Sequence, residues 1–184
     1  MTEKEQLILN YMNTHGILLC NENKYLPSLF DVGGDWDSIV SLIEKREAFY
    51  CKVYRKRTCY LSKELYFLLK SYKHTFANIP ELSLNIYNYL CDNGPADTEM
   101  IKHMFMLSTK DFNKAFDILL ERMLATAVKR GKTLNSTWST FIWGTYIDWE
   151  KDAVPAPTGE KNYDRIFDIL NFNLTEKEIL KIIS

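Results

Sequence analysis

The order of the elements over residues 80–150 constrains the fold of this chain most strongly. Pro80 opens a helix with apolar residues at helical spacing, and the turn residues at 92–95 end it. Asp97 or Thr98 then caps a short helix that runs to about residue 106. Two helices of unequal length therefore begin this region, with a sharp stop between them.

A longer helix and a hairpin follow in the same region. Thr109 is predicted to cap the helix, after a turn at 107–108. Residues 125–128 are predicted as a strand, 129–132 as a turn containing Gly131, and 138–149 as β-prone. Helix, short helix, turn, longer helix and hairpin, in this order, are typical of a winged helix-turn-helix unit.

The first 61 residues repeat this plan more loosely. A capping box at Thr2 and Glu5 begins the first helix, and a second apolar stripe begins at Trp36. Alternating residues on both sides of position 55 then predict a hairpin. The helix needed between these elements would have to include Pro27, so the helix-turn-helix interpretation is weaker here.

We therefore predict an α+β, mainly helical chain of tandem winged helix-turn-helix units with β-hairpin wings. The expected organisation is an N-terminal winged-helix-like unit (1–61), a bridging helix (62–79), a winged helix-turn-helix unit (80–150), a linker (151–159) and C-terminal helices (160–184).

Charge is unevenly distributed along the chain. The total is −1, from 23 basic and 24 acidic residues, which excludes a protein that is basic over its whole surface. Residues 45–74, however, carry nine basic residues against two acidic ones, and residues 126–147 carry three against none. Both basic blocks coincide with predicted hairpins, so a localised basic surface is expected.

Clustered cations on projecting hairpins, together with the longer helix, suit the phosphate backbone of duplex DNA. Asp117 and Glu121 on that helix would repel DNA, so we expect contact through its first turns. The alternative for the hairpin tips is simple solvation of charged turn residues. The candidate DNA-binding residues are Arg55, Lys56, Arg57, Lys110, Asn113, Lys114, Lys129, Arg130 and Lys132.

Metal, cofactor and membrane binding find no support in the sequence. The four cysteines include no C-x-x-C pair, and the three histidines are scattered, so we expect neither a metal site nor a cofactor. Cys51 and Cys59 could face each other across the first hairpin as reduced thiols. The absence of a signal-like start and of a long apolar run predicts a soluble, cytoplasmic protein without a membrane partner.

The region 82–149 resembles winged-helix domains of the AlkZ-like (YcaQ-like) DNA glycosylase superfamily, through residues 111–116, 119–126 and 141–146 with Trp149. Residues 35–62 are similar to an earlier part of related proteins. The resemblance implies tandem winged helices and, in full-length members, a β-barrel and excision of bulky or crosslinked alkylated bases. Their chemistry is associated with a Gln-x-Gln motif or a variant with His in place of one Gln.

This chain departs from that motif, because Gln6 is its only glutamine. No catalytic position carries over, and the catalytic residues are unknown. Double-stranded DNA is the expected partner. Two alternatives stay open: a protein-interaction or homodimerisation module that uses the C-terminal helices, and a glycosylase in which Asp31, Asp35 and Asp37 replace the missing glutamines.

Overall fold

The computed structural model describes residues 1–135, 138–153 and 162–184, and these form an α+β fold in which two similar series of elements follow each other. The first series consists of α1 (Glu3–His15), β1 (Ile17–Leu19), α2 (Trp36–Glu44), β2 (Ala48–Tyr54), β3 (Arg57–Ser62) and α3 (Lys63–Lys73). The second consists of α4 (Glu81–Asn93), β4 (Ala96–Asp97), α5 (Thr98–Met104), α6 (Thr109–Glu121), β5 (Ala125–Thr133), β6 (Ser139–Thr145) and α7 (Tyr146–Glu150). Two further helices are α8 (Tyr163–Leu170) and α9 (Glu176–Ile183).

Each series contains an antiparallel three-stranded sheet with the same connectivity. The strand orders are β1-β3-β2 and β4-β6-β5, so in both sheets the last strand of the hairpin occupies the centre. Cys51 pairs with Cys59 in the first hairpin, as the sequence allowed, and Ala125 pairs with Thr145 in the second. The repeated strand order relates the two series topologically.

The turn from helix to hairpin is also repeated. Arg46 after α2 and Met123 after α6 both adopt positive φ angles, 60° and 57°. In both turns a backbone N–H donates to the carbonyl five residues earlier, at 2.9 Å. The two segments, 42–48 and 119–125, begin with Leu, carry Glu at the third position and end with Ala. The two turns thus share the same backbone geometry and three residues at matching positions.

Most predicted helix starts are confirmed. Thr2 forms its capping box with Glu5, and Asp97, one of the two residues predicted to cap the short helix, caps α5. The cap of α6, however, is Ser108 rather than Thr109, with its hydroxyl accepting from the Asp111 N–H at 3.1 Å. Residues 25–30 contain no helix, so the first series lacks a counterpart of α5.

The second hairpin differs from its sequence-based prediction at both ends. β5 continues to Thr133, so the predicted turn 129–132 is part of the strand. Gly131 serves close packing there, because a Cβ atom would collide with the Thr140 hydroxyl oxygen. The connection to β6 includes residues 136 and 137, which lie outside the described residues. The end of the predicted β-prone stretch is helical, because Thr145 and Asp148 form a capping box that begins α7.

The core extends across both series. One cluster joins α1 and α2 to α4, α5 and α6, and the other joins β2, β3 and α3 to α8 and α9. Trp149 of α7 is fully buried and donates from Nε1 to the Ala48 carbonyl of β2. The apolar faces of α8 and α9 are therefore covered by the same chain. The division into separate domains stays a prediction, and most of the predicted linker 151–159 lies outside the described residues.

No helix in the described part of the chain is both long enough and apolar enough to cross a bilayer.

Candidate nucleic-acid interface

The first half of α6 presents a polar face to solvent. Phe112, Ala115 and further apolar residues bury one side of this helix, because they recur at helical spacing. Lys110, Asn113 and Lys114 lie on the opposite side and are exposed. Their spacing of three and four residues places them together on the helix surface. Neither lysine forms an ion pair within the described residues, so both charges remain available.

The second half of the same face carries Asp117 and Glu121, the two carboxylates that are expected to repel DNA. Lys52 of β2 lies 2.6 Å from the Asp117 carboxylate, and Lys56 lies 3.6 Å from that of Glu121. The first hairpin thus covers this part of α6 with cations. Both acidic residues have a positively charged neighbour, which reduces their repulsion of an approaching phosphate.

The tip of the first hairpin is a two-residue turn in which Arg55 and Lys56 have φ angles of 50° and 56°. Arg55 is engaged within the protein: its guanidinium lies 3.0 Å from the Glu178 carboxylate and 4.1 Å from the centre of the Tyr25 ring. Backbone donation from Thr175 and the Arg55 guanidinium lower the pKa of Glu178 to about 2. Arg57 is exposed, 5.5 Å from the Tyr25 ring centre.

The second hairpin lies against α2. Arg130 forms an ion pair with Asp37 at 2.6 Å, and its backbone N–H donates to the Glu44 carboxylate at 2.9 Å. The Trp36 indole donates to the Ser139 hydroxyl at 3.1 Å, which fixes the return strand. These contacts hold the hairpin on the N-terminal series and engage the Arg130 side chain.

Two lysines of this hairpin remain outside that contact. Lys129 and Lys132 are exposed, and neither forms an ion pair within the described residues. The structure thus brings Arg55 and Lys56 close to the end of α6. Arg130 of the second hairpin lies against α2, and within the described residues no ion pair joins the cations of one hairpin to the other hairpin.

The acidic residues considered for catalysis have structural partners. Asp31 accepts from the Ser28 N–H and hydroxyl, and Asp37 pairs with Arg130. Asp35 caps α2 and pairs with Lys4, whose hydrogen bond is the main cause that lowers the pKa of Asp35 to about 2. Among the described residues, no group of three His, Cys, Asp or Glu side chains could hold a metal ion.

Lys52 was not among the residues predicted for the interface. The available sequence signal is its position between Cys51 and Val53. Side chains alternate along a strand, so Lys52 points away from these two buried neighbours. Its partner Asp117 is 65 positions away, so the ion pair depends on tertiary structure.

A family model described as AlkZ related matches residues 30–183. The match begins shortly before α2 and extends into α9, so it includes both hairpins and the whole of α6. A search of curated proteins and a search of solved structures find no match. Because the family model covers most of the chain, this protein belongs to the AlkZ-related family.

Proposed function

We propose that this protein binds duplex DNA, with the exposed face of α6 as its principal contact. The observation that carries this proposal is the set of Lys110, Asn113 and Lys114 on one side of a helix whose other side is buried. Membership of the AlkZ-related family supports it, since that family suggests a superfamily related to DNA repair.

The topology of residues 81–150 supports an interpretation as a winged helix-turn-helix unit. Its two central helices, α5 and α6, are followed directly by the β5–β6 hairpin, and β4 pairs with the returning strand. In such units the second helix of the pair enters the major groove, and α6 is the second helix of this pair in chain order. The first series has the same sheet, so we interpret it as a second winged unit that lacks one helix.

The chemistry of the α6 face fits this role. Lysine ammonium groups at positions 110 and 114 suit phosphate oxygens, and the Asn113 amide can donate to and accept from an adenine edge. Lys129 and Lys132 of the second hairpin would add contacts to the phosphate backbone of the DNA. Arg55 and Arg130 are assigned mainly to holding the hairpins, because a carboxylate already neutralises each guanidinium. Lys56 and Arg57 remain candidates for peripheral contacts.

Fluorescence anisotropy of a labelled duplex at several salt concentrations tests the proposal. Each phosphate contact contributes about 0.9 to the slope of log K against log salt. Replacing Lys110 and Lys114 by Ala should therefore weaken binding and reduce that slope by about 1.8. A matched variant with Lys151 and Lys177 replaced by Ala should bind like wild type, because these exposed lysines lie outside α6 and both hairpins. Absence of salt-dependent binding, or equal slopes for the two variants, would refute the proposal.

A second candidate function is self-association through α5 and the turn that follows it. Met100, Met104 and Met106 are 54%, 56% and 93% exposed, and flexible methionine side chains suit protein contacts. The C-terminal helices no longer favour this role, because their apolar faces pack within the chain. Light scattering over a concentration series tests the candidate: Met104→Lys with Met106→Lys should abolish any dimer, and a wild-type protein that stays monomeric excludes it.

A further inference from the structure

A cavity of about 340 Å³ lies between the first hairpin, the end of α3, the end of α6 and α9. Its lining carries an excess of three positive charges. The charged residues around it are Lys52, Arg55, Lys56, Lys73 and Lys181, with Glu121 and Glu178 as the two carboxylates. Val53, Tyr54 and Ile182 complete the wall with mostly apolar surface. The first hairpin and α3, which are consecutive in the sequence, thus build one cationic cavity together with the distant helices α6 and α9.

Internal ion pairs account for three of these cations. Lys52 pairs with Asp117, Arg55 with Glu178, and Lys56 lies 3.6 Å from Glu121. The other two, Lys73 and Lys181, form no ion pair in the part of the chain that the structure describes. Lys73 is half-buried, and burial lowers the pKa of its ammonium group, an effect that Cys51 and Glu121 offset only in part. The cavity therefore holds two ammonium groups without a bonded counter-charge.

We propose that this cavity binds the dianion of a phosphomonoester, with Lys73 and Lys181 as its two principal charge partners. A phosphomonoester carries a charge of about −1.5 to −2 at neutral pH, which matches two ammonium groups. The volume lies within the range of small-molecule sites, about 300–1,000 Å³, so the cavity has room for the group that bears the phosphate. The apolar wall at Val53 and Ile182 offers contact surface to that group.

The site is distinct from the exposed face of α6. Lys110 and Lys114 lie near the start of that helix, whereas the cavity contacts its last residue, Glu121. Two sources share the required chemistry: a free mononucleotide or similar small phosphomonoester, and the 5′-phosphate at the end of a nucleic-acid strand. Phosphomonoester binding at the cavity does not require duplex binding by α6.

Calorimetric titration of the full chain at constant ionic strength tests the site, with AMP, inorganic phosphate and adenosine as probes. We expect AMP to bind, phosphate to bind more weakly and adenosine to give no signal. Lys73→Met and Lys181→Met should each weaken AMP binding at least tenfold. Lys177→Met serves as the control, because it changes an exposed lysine on the same helix that does not line the cavity.

Further titrations identify the source of the bound phosphomonoester and distinguish this site from the DNA interface. A 5′-phosphorylated oligonucleotide that competes with AMP better than its 5′-hydroxyl form would assign the strand end, and equal competition would assign the small molecule. The variant with Lys110 and Lys114 replaced by Ala should bind AMP like wild type, whether or not it binds duplex DNA. Equal affinities for AMP and adenosine would overturn the proposal, as would unchanged AMP binding in both folded cavity variants.

Discussion

The Lys52 ammonium group of β2 lies 2.6 Å from the Asp117 carboxylate of α6, and this pair joins the first hairpin to the helix of the second series. A corresponding contact runs in the other direction, where Arg130 of β5 pairs with Asp37 of α2. Each hairpin thus contacts a helix of the opposite series. The two series are held together by these two reciprocal ion pairs as well as by a shared core.

We expect the Lys52–Asp117 pair to stabilise the fold by about 1 kcal/mol, because both side chains are only partly exposed, at 20% and 35%. A double-mutant cycle with Lys52→Met and Asp117→Asn, followed by urea unfolding, measures this coupling. The Lys102–Glu99 pair is the control, since Glu99 is 81% exposed and its coupling should stay below about 0.5 kcal/mol. Equal couplings in the two cycles would contradict the prediction.

The features that the sequence predicted correctly depend on short-range interactions. The capping box at Thr2 and the cap at Asp97 each involve residues three positions apart, so their pattern is readable without the fold. The pairing of Cys51 with Cys59 follows equally from a tight turn between two alternating strands.

The features that the sequence missed depend on tertiary contacts. Gly131, with three cations around it, has the composition of a turn, yet it lies within β5, where Thr140 approaches its backbone closely. Aromatic residues after Thr145 suggest a strand, but the cap at that residue begins a helix that buries Trp149. The ion pairs that engage Arg55 and Arg130 join residues more than 90 positions apart, so local charge counts could not separate engaged cations from available ones.

Thr126 should contribute to stability through the hydrogen bonding of its buried hydroxyl group. Its side chain is fully buried, and its hydroxyl donates to the Tyr50 carbonyl of β2 at 2.9 Å. Thr126→Val keeps the shape but removes the donor, so we expect a loss of about 1–2 kcal/mol in the free energy of unfolding. Thr126→Ser retains the hydroxyl and should lose less. Chemical unfolding of the three proteins checks the order, and a valine variant as stable as wild type would refute it.

His74 should make the fold sensitive to mild acid. Burial and the nearby Lys70 ammonium group lower its pKa from 6.5 to about 4, and its ring lies against Tyr146. The unfolded chain therefore binds a proton at His74 at higher pH than the folded one. The contribution of neutral His74 to the free energy of unfolding is fully present above about pH 6.5 and is lost as the pH falls towards 4.

Measuring the free energy of unfolding between pH 7 and 4 tests this expectation. His74→Phe should remove a loss of up to about 3 kcal/mol over this interval, since each pKa unit corresponds to about 1.4 kcal/mol. His103→Gln, at an exposed position, is the control and should leave the wild-type slope unchanged. A slope that persists in His74→Phe would assign the acid sensitivity to other groups.

The four cysteines should differ sharply in reactivity. Cys20, Cys51 and Cys59 are buried, whereas Cys91 on α4 is exposed. Burial raises the pKa of the Cys51 and Cys20 thiols, which disfavours the reactive thiolate. With a thiol-reactive disulfide reagent, we therefore expect one thiol of the native protein to react rapidly and the remaining three only after unfolding. Cys91→Ser should eliminate the rapid phase, and a rapidly reacting thiol in that variant would show that one of the three buried cysteines is accessible.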